Sequence, residues 1–319
     1  MNEKTNSQPP LVLQQTACWL PADMDTPISL FLDTVGKGDG ILLESAEVDG
    51  RWGRYSVLAC DIACVLSCRD GKLAVAASEE SLKPLRRFEG LPFIDGLRGL
   101  MKHLRILPPP DFKNLPPITR ALYGYMGFGM AGLFNARLAA VMPPREADCL
   151  LVLPGTVLLF DHLYNRLCRI SLGVLSKGAG GTSAARAARH GHDGQGETVS
   201  EPGEAGYKDH VVRIKEMLRL GEAIQVVPSV RFSTAFFGDS FTLYRRMRRI
   251  NASPYMFYMR FPGLTLLGSS PEIMVRCVEG QLQLSPIAGT RRRGKDDMED
   301  ALLAAELRED PKERSEHVM

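Results

Sequence analysis

Four short apolar runs, ILLESA, YSVLAC, ACVLSC and KLAVAA, fill residues 41–77 and are separated by polar or glycine-containing turns. Runs of that length bounded by turn signals predict an antiparallel sheet. Over Phe93–Leu107 the period changes: Phe93, Leu97, Leu100 and Leu104 recur every three or four residues, which predicts a helix with one apolar face. The stretch ALYGYMGFGM leads into two more β-like runs, CLLVLPGTVLLFD and LCRISLGVL. Residues 176–205 are mostly Gly, Ser, Ala, Thr and charge, so they read as a linker or long loop. After them YKDHVVRIKEMLRLGE sets Val211, Ile214, Met217 and Leu218 at helical spacing, with Gly221 placed to stop the helix. AIQVVPSVRF and YMFYMRF read as strands. LTLLGSSPEIMVRCVEGQLQLSPIAGT reads as successive strands with turns at Ser269–Pro271 and Glu279–Gly280. From Met298 a helical pattern runs to the last residue, broken at Asp310–Pro311. The pattern therefore divides the chain into a mobile lead (1–25), a first domain (26–175), a linker (176–205) and a second domain (206–319).

Composition narrows the class. A chain of 319 residues exceeds the usual size of one hydrophobic core, so two domains or one large α/β unit is expected. A net charge of +2 gives no general case for binding nucleic acid. The polar start, MNEKTNSQPP, lacks the apolar heart of a signal peptide, and no 18-residue apolar run follows. A cytoplasmic protein without a membrane segment is the expectation. Seven cysteines cannot all pair within the chain, which fits reduced thiols. Cys60, Cys64 and Cys68 raise a metal site, but no CxxC pair or nearby His completes one, so they read as small buried hydrophobes. His190 and His192 lie in AARHGHDGQGE and read as loop residues.

Several stretches could carry chemistry. Glu313 and Glu316 are three apart in PKERSEH, on one helical face, where two carboxylates can converge on Mg²⁺ or simply face water. Glu272 follows Pro271 between LLGSS and IMV; in apolar company it could act as a proton donor, or it is a strand-edge charge. Gln225 in AIQVV can orient a ligand but cannot take a proton at neutral pH. LSPIAGTRRRG joins a tight apolar turn to three arginines, which suits either a surface turn or the wall of a small-molecule site. Ser45 in LLESA and Pro254–Met256 in NASPYMFYM punctuate β structure.

Taken in order, LLESA, SPYMFYM, GEAIQVVPSVRFS, GSSPE, SPIAGTRRRG and DPKERSEHVM resemble the anthranilate synthase component I group of the chorismate-utilising enzyme family, from about residue 28 onward. The resemblance implies an α+β fold: an interwoven two-sheet antiparallel β sandwich with flanking helices. It implies conversion of chorismate and ammonia to anthranilate and pyruvate with Mg²⁺, the ammonia coming from a glutamine amidotransferase subunit. By the same resemblance, Glu272 protonates the departing C4 hydroxyl, Gly289 and Thr290 contact chorismate, and Glu316 ligates Mg²⁺ with Glu313 beside it. Gln225 stands where water-using relatives have a lysine base. Ala288 stands where 4-amino-4-deoxychorismate synthases have an attacking lysine. Ser45, Pro254, Tyr255 and Met256 match positions that bind tryptophan as a feedback inhibitor, although NASPYM replaces the usual NPSPYM. Family members continue past this point with further chorismate- and Mg²⁺-binding stretches. The chain as given is therefore expected to be catalytically inactive, the N-terminal portion of the synthase; the alternatives are a non-catalytic fragment with at most a tryptophan-binding role, or 4-amino-4-deoxychorismate synthase.

Overall fold

A computed structural model describes residues 9–45, 53–112, 114–173 and 196–319. Its strands up to residue 173 are β1 (Leu11–Pro21), β2 (Gly40–Glu44), β3 (Tyr55–Arg69), β4 (Lys72–Ala77), β5 (Leu104–Leu107), β6 (Tyr123–Met126), β7 (Cys149–Asp161) and β8 (Arg166–Leu172). Then come β9 (Val199–Glu201), β10 (Arg231–Ser233), β11 (Tyr255–Phe261), β12 (Leu264–Ser270), β13 (Arg276–Val278) and β14 (Gln281–Gln283). The helices are α1 (Pro27–Thr34), α2 (Phe93–His103), α3 (Ala131–Phe134), α4 (Glu204–Arg219), α5 (Ser240–Ile250), α6 (Asp297–Glu309) and α7 (Pro311–Val318).

The α+β class with a large sheet and flanking helices holds. Ten strands join in one hydrogen-bonded sheet, in the order β12-β11-β2-β3-β7-β8-β1-β5, with β4 added beside β3 and β6 beside β7. Where the resemblance implied two packed sheets, the further strands form two separate two-stranded ladders, β9–β10 and β13–β14. Pairing is antiparallel except between β1 and β5.

The longest ladder, β3 with β7, runs from Tyr55↔Asp161 to Ser67↔Leu150 and shifts register between Ile62 and Cys64. Pro154 lies opposite Ile62 at that shift. A proline cannot donate to a ladder, so the irregularity is what allows it inside a central strand. Consecutive residues Val57, Leu58, Ala59 and Cys60 are all buried, so both faces of β3 are covered. That is why this run reads as continuously apolar rather than alternating. One apolar cluster gathers Leu66, Leu73, Leu82, Phe93 and Leu100, and another gathers Ile41, Val57, Val157, Leu159 and Ile170. Tight turns match their letters. Asp70–Gly71 and Glu279–Gly280 have positive φ at both positions and close two-residue hairpins.

Several expectations are corrected. Residues 11–21 are not a mobile lead: they form β1, zipped to β8 from Gln15↔Leu172 to Pro21↔Arg166. The helix starting at Phe93 ends at His103, and Leu104–Leu107 extend to pair with Leu11–Gln14 of β1. Only the last two residues of AIQVVPSVRF are strand, as the start of β10, since Pro228 lacks the N–H a ladder needs. The proposed linker lies partly outside the described residues, as do His190 and His192, but its end is ordered into β9 and the first turn of α4. The boundaries differ too. One compact unit joins the described residues up to 173 with Met247–Met319, and the second holds those from 196 to Arg246. No described helix is long and apolar enough to cross a membrane.

Candidate active site

In the first unit, β12 ends at Ser270 and the chain turns through Pro271 to Glu272. Ser270 Oγ fixes the turn, donating to the Glu272 carbonyl (3.1 Å) and accepting from the Glu272 N–H (3.4 Å). Glu272 Oε1 then accepts the Ile287 N–H at 3.3 Å. The side chain thus lies against the apolar turn that β13 and β14 deliver. The carboxylate is exposed, so the apolar surroundings suggested by its sequence neighbours are not around it.

The same turn meets α7. A Cβ built on Gly289 would fall 1.7 Å from Glu313 Oε2, so the Glu313 carboxylate occupies the space a side chain at 289 would fill. Here only glycine leaves the carboxylate where it is. Ala288 and Gly289 are half-buried, and Thr290 is exposed. Pro311 occupies the first turn of α7, and Asp310 caps it, accepting from the Lys312 N–H (2.9 Å) and the Glu313 N–H (3.1 Å). Those donors hold the Asp310 carboxyl below its ordinary range. Glu316 follows Glu313 by three residues, on the same helical face.

Arg291 ties these pieces together. Its guanidinium reaches Asp310 at 2.8 Å, Glu306 of α6 at 3.1 Å and Glu313 at 3.6 Å. Arg292 pairs with Glu299, and Arg293 with Asp300 in two hydrogen bonds. The arginine run therefore docks the loop onto α6 and α7. Sequence reading gave these arginines no role, because their partners are seven to twenty-two residues ahead on two separate helices.

The structure thus brings Glu272, the 287–289 turn and Glu313 into one neighbourhood, with Glu316 a helical turn beyond. Gln225 belongs to the second unit, exposed on irregular chain between α4 and β10. Among the described residues no group of three or more His, Cys, Asp or Glu gathers around a metal position. Two carboxylates on one helix face still fit Mg²⁺, which commonly takes one or two protein carboxylates and fills its octahedron with water and substrate oxygens. Cys60, Cys64 and Cys68 are buried in β3; burial pushes the first two thiols up to about 12 and about 11.

The expected inhibitor-site residues also meet. Met256 pairs with Glu44 across β11 and β2, so Tyr255 and Ser45 continue the two strands at the same end, with Pro254 leading in. Met256 is buried and Tyr255 exposed. Beside them is a pair that sequence reading missed. Glu44 is fully buried and receives Arg248 Nε at 2.9 Å and Nη2 at 3.0 Å, a two-pronged ion pair spanning 204 residues. No local pattern could announce a partner so far away.

The chorismate binding enzyme family matches residues 71–319. The chain belongs to that family. It is similar to anthranilate synthase component 1 of Cereibacter sphaeroides, with 34% identity over 94% of this chain and 64% of the relative. The same component of Neisseria gonorrhoeae is 33% identical over 94% and 64%, and that of Pseudomonas aeruginosa 31% identical over 93% and 64%. The chain thus spans about 64% of the length of these curated relatives. Two solved structures share the fold. Anthranilate synthase component I from Streptococcus pneumoniae has a TM-score of 0.59 and 20% identity, covering 84% of this chain and 59% of its own. The menaquinone-specific isochorismate synthase of Escherichia coli has a TM-score of 0.58 and 15% identity, covering 98% and 63%.

Proposed function

We propose that this chorismate binding enzyme is the large subunit of a cytoplasmic anthranilate synthase. It takes ammonia from a glutamine amidotransferase subunit and is inhibited by tryptophan at Ser45 and Pro254–Met256. The observation that carries the reading is the meeting of Glu272, the apolar turn 287–289 and Glu313 in one place.

In the proposed chemistry ammonia adds to the ring of chorismate while the C4 hydroxyl departs as water. Loss of the enolpyruvyl group as pyruvate then leaves the aromatic amine. Glu272 gives the departing hydroxyl its proton, converting a poor leaving group into water. Ala288 lines the ring with almost no side chain, which leaves room for ammonia, while Gly289 admits the Glu313 carboxylate beside it and Thr290 offers a hydroxyl to the substrate. Glu313 and Glu316 would hold Mg²⁺, whose contribution is to neutralise substrate carboxylate charge. Gln225 is an amide and so cannot act as the base that water would need, which favours ammonia as nucleophile over the isochorismate reaction. Ala288 cannot attack the ring, which disfavours the 4-amino-4-deoxychorismate route.

The test is to express the whole reading frame that contains residues 1–319 and supply chorismate, Mg²⁺ and ammonium. Fluorescent anthranilate with equimolar pyruvate is expected. Isochorismate or 4-amino-4-deoxychorismate as the product would overturn the reading.

A further inference from the structure

On the part of the sheet built by β1, β3 and β8, a hollow of about 450 Å³ opens between the strand ends and the chain around Phe112. Its walls are rings: Trp19 and Phe112 lie 6.2 Å apart, with Tyr55 and Tyr164 completing the lining. Two guanidiniums stand among them. Arg166 lies 3.8 Å over the Trp19 ring and 4.6 Å over Tyr164, while Arg54 lies 4.9 Å over Tyr55. Both arginines reach one buried carboxylate, Asp161, at 3.4 Å from Arg54 and 3.6 Å from Arg166. Two cations share one anion at Asp161, and with Asp111 counted the formal charge balances, so what the lining offers a ligand is guanidinium donors rather than net charge. The Arg54 and Arg166 side chains are 50% and 38% exposed, and Arg166 Nε is buried with no hydrogen-bond partner among the described residues. Asp111 adds a carboxylate to the same lining.

We propose that this hollow binds a small aromatic monocarboxylate, at a site distinct from the Glu272 neighbourhood. The volume suits a molecule of one or two rings. Stacking on aromatic faces orients the guanidinium planes, and a planar fork of donors matches a carboxylate. The aromatic and aliphatic walls take the ring. Asp111 sets the selectivity: it repels a second negative charge, so dicarboxylates and phosphates are excluded. The inference does not depend on the proposed catalytic activity.

The chain has two tryptophans, so Trp52→Phe leaves Trp19 as the sole indole reporter. Titration of that protein with benzoate and with indole-3-acetate should change Trp19 fluorescence saturably, whereas phthalate and inorganic phosphate should not. Arg54→Gln should weaken indole-3-acetate about tenfold or more, a loss of about 1.4 kcal/mol or more. Asp111→Asn should admit phthalate, which keeps the proposal testable even where Arg54→Gln fails to fold. Either the lack of a saturable response at millimolar acid or equal binding of neutral indole would overturn the proposal.

Discussion

The central strands of the first unit and its candidate-site rim, from Pro271 onward, are held by opposite means. In β3 and β7, residues such as Leu58 and Leu159 are wholly buried, and apolar packing covers both faces. From Pro271 to the last residue no helix buries a single side chain, and β13 and β14 are exposed along their length. What organises that rim is charge and capping: Arg291 on Glu306, Asp310 and Glu313, Arg293 on Asp300, and Asp310 on the first turn of α7. Burial resists pH and salt, whereas exposed ion pairs are screened and weak one by one. The candidate site therefore sits on the more adjustable region and the rigidity on the other.

The largest expected effect lies in the rim but is chemical. Glu272→Gln should lower kcat by about 10²–10⁴-fold with little change in melting temperature, because an exposed acid contributes catalysis rather than packing. Steady-state assay of the whole enzyme beside a thermal melt checks both halves of that statement. Next comes Glu44→Ala, which removes the buried carboxylate from the partly exposed Arg248 guanidinium and should cost about 3 kcal/mol in denaturant unfolding, the low end for a broken buried pair. Glu44 sits at the junction of the two styles, a charge pair placed within the apolar sheet. Leu159→Ala should cost about 2–5 kcal/mol, the ordinary range for emptying a core leucine site.

Smaller effects belong to the rim's electrostatics. Gly289→Ala should raise the Mg²⁺ concentration needed for half-maximal activity, since the new methyl group displaces the Glu313 carboxylate, while the melt is unaltered. Acid should melt the rim first. Asp300 is held below its ordinary range mainly by the Arg293 hydrogen bond, and Asp310 mainly by the Glu313 N–H. A carboxyl whose folded pKa is depressed binds more protons when unfolded. Its stabilisation is complete above the ordinary aspartate value, about 3.9, and is lost as pH falls toward the folded value. Amide exchange in α6 and α7 should accelerate below about pH 4, before that in β3 and β7 does.

The same contrast explains what could be read from the letters. Elements specified locally were legible: the Asp70–Gly71 and Glu279–Gly280 hairpins, the stop at Gly221, and the break at Asp310–Pro311, where a capping aspartate precedes a proline. Elements specified by distant partners were not. LVLQQTACWLP follows a polar start and becomes β1 only because β8 and β5 supply partners about 93 to 157 residues ahead in sequence. Leu104–Leu107 share the helical spacing of α2, yet pairing with Leu11–Gln14 prevails over that period. For the candidate site, the motifs singled out Glu272, Gly289 and Glu313, but Arg291, which reaches Glu313, showed only as part of a charge run.

The most direct measurement is an anomalous difference map from crystals of the whole enzyme soaked with Mn²⁺ and chorismate. A metal peak on Glu316 and Glu313, with the ring lying between Gly289 and the Glu272 carboxylate, is the required result. A ring bound away from Glu272, or a metal held by other residues, would contradict the account.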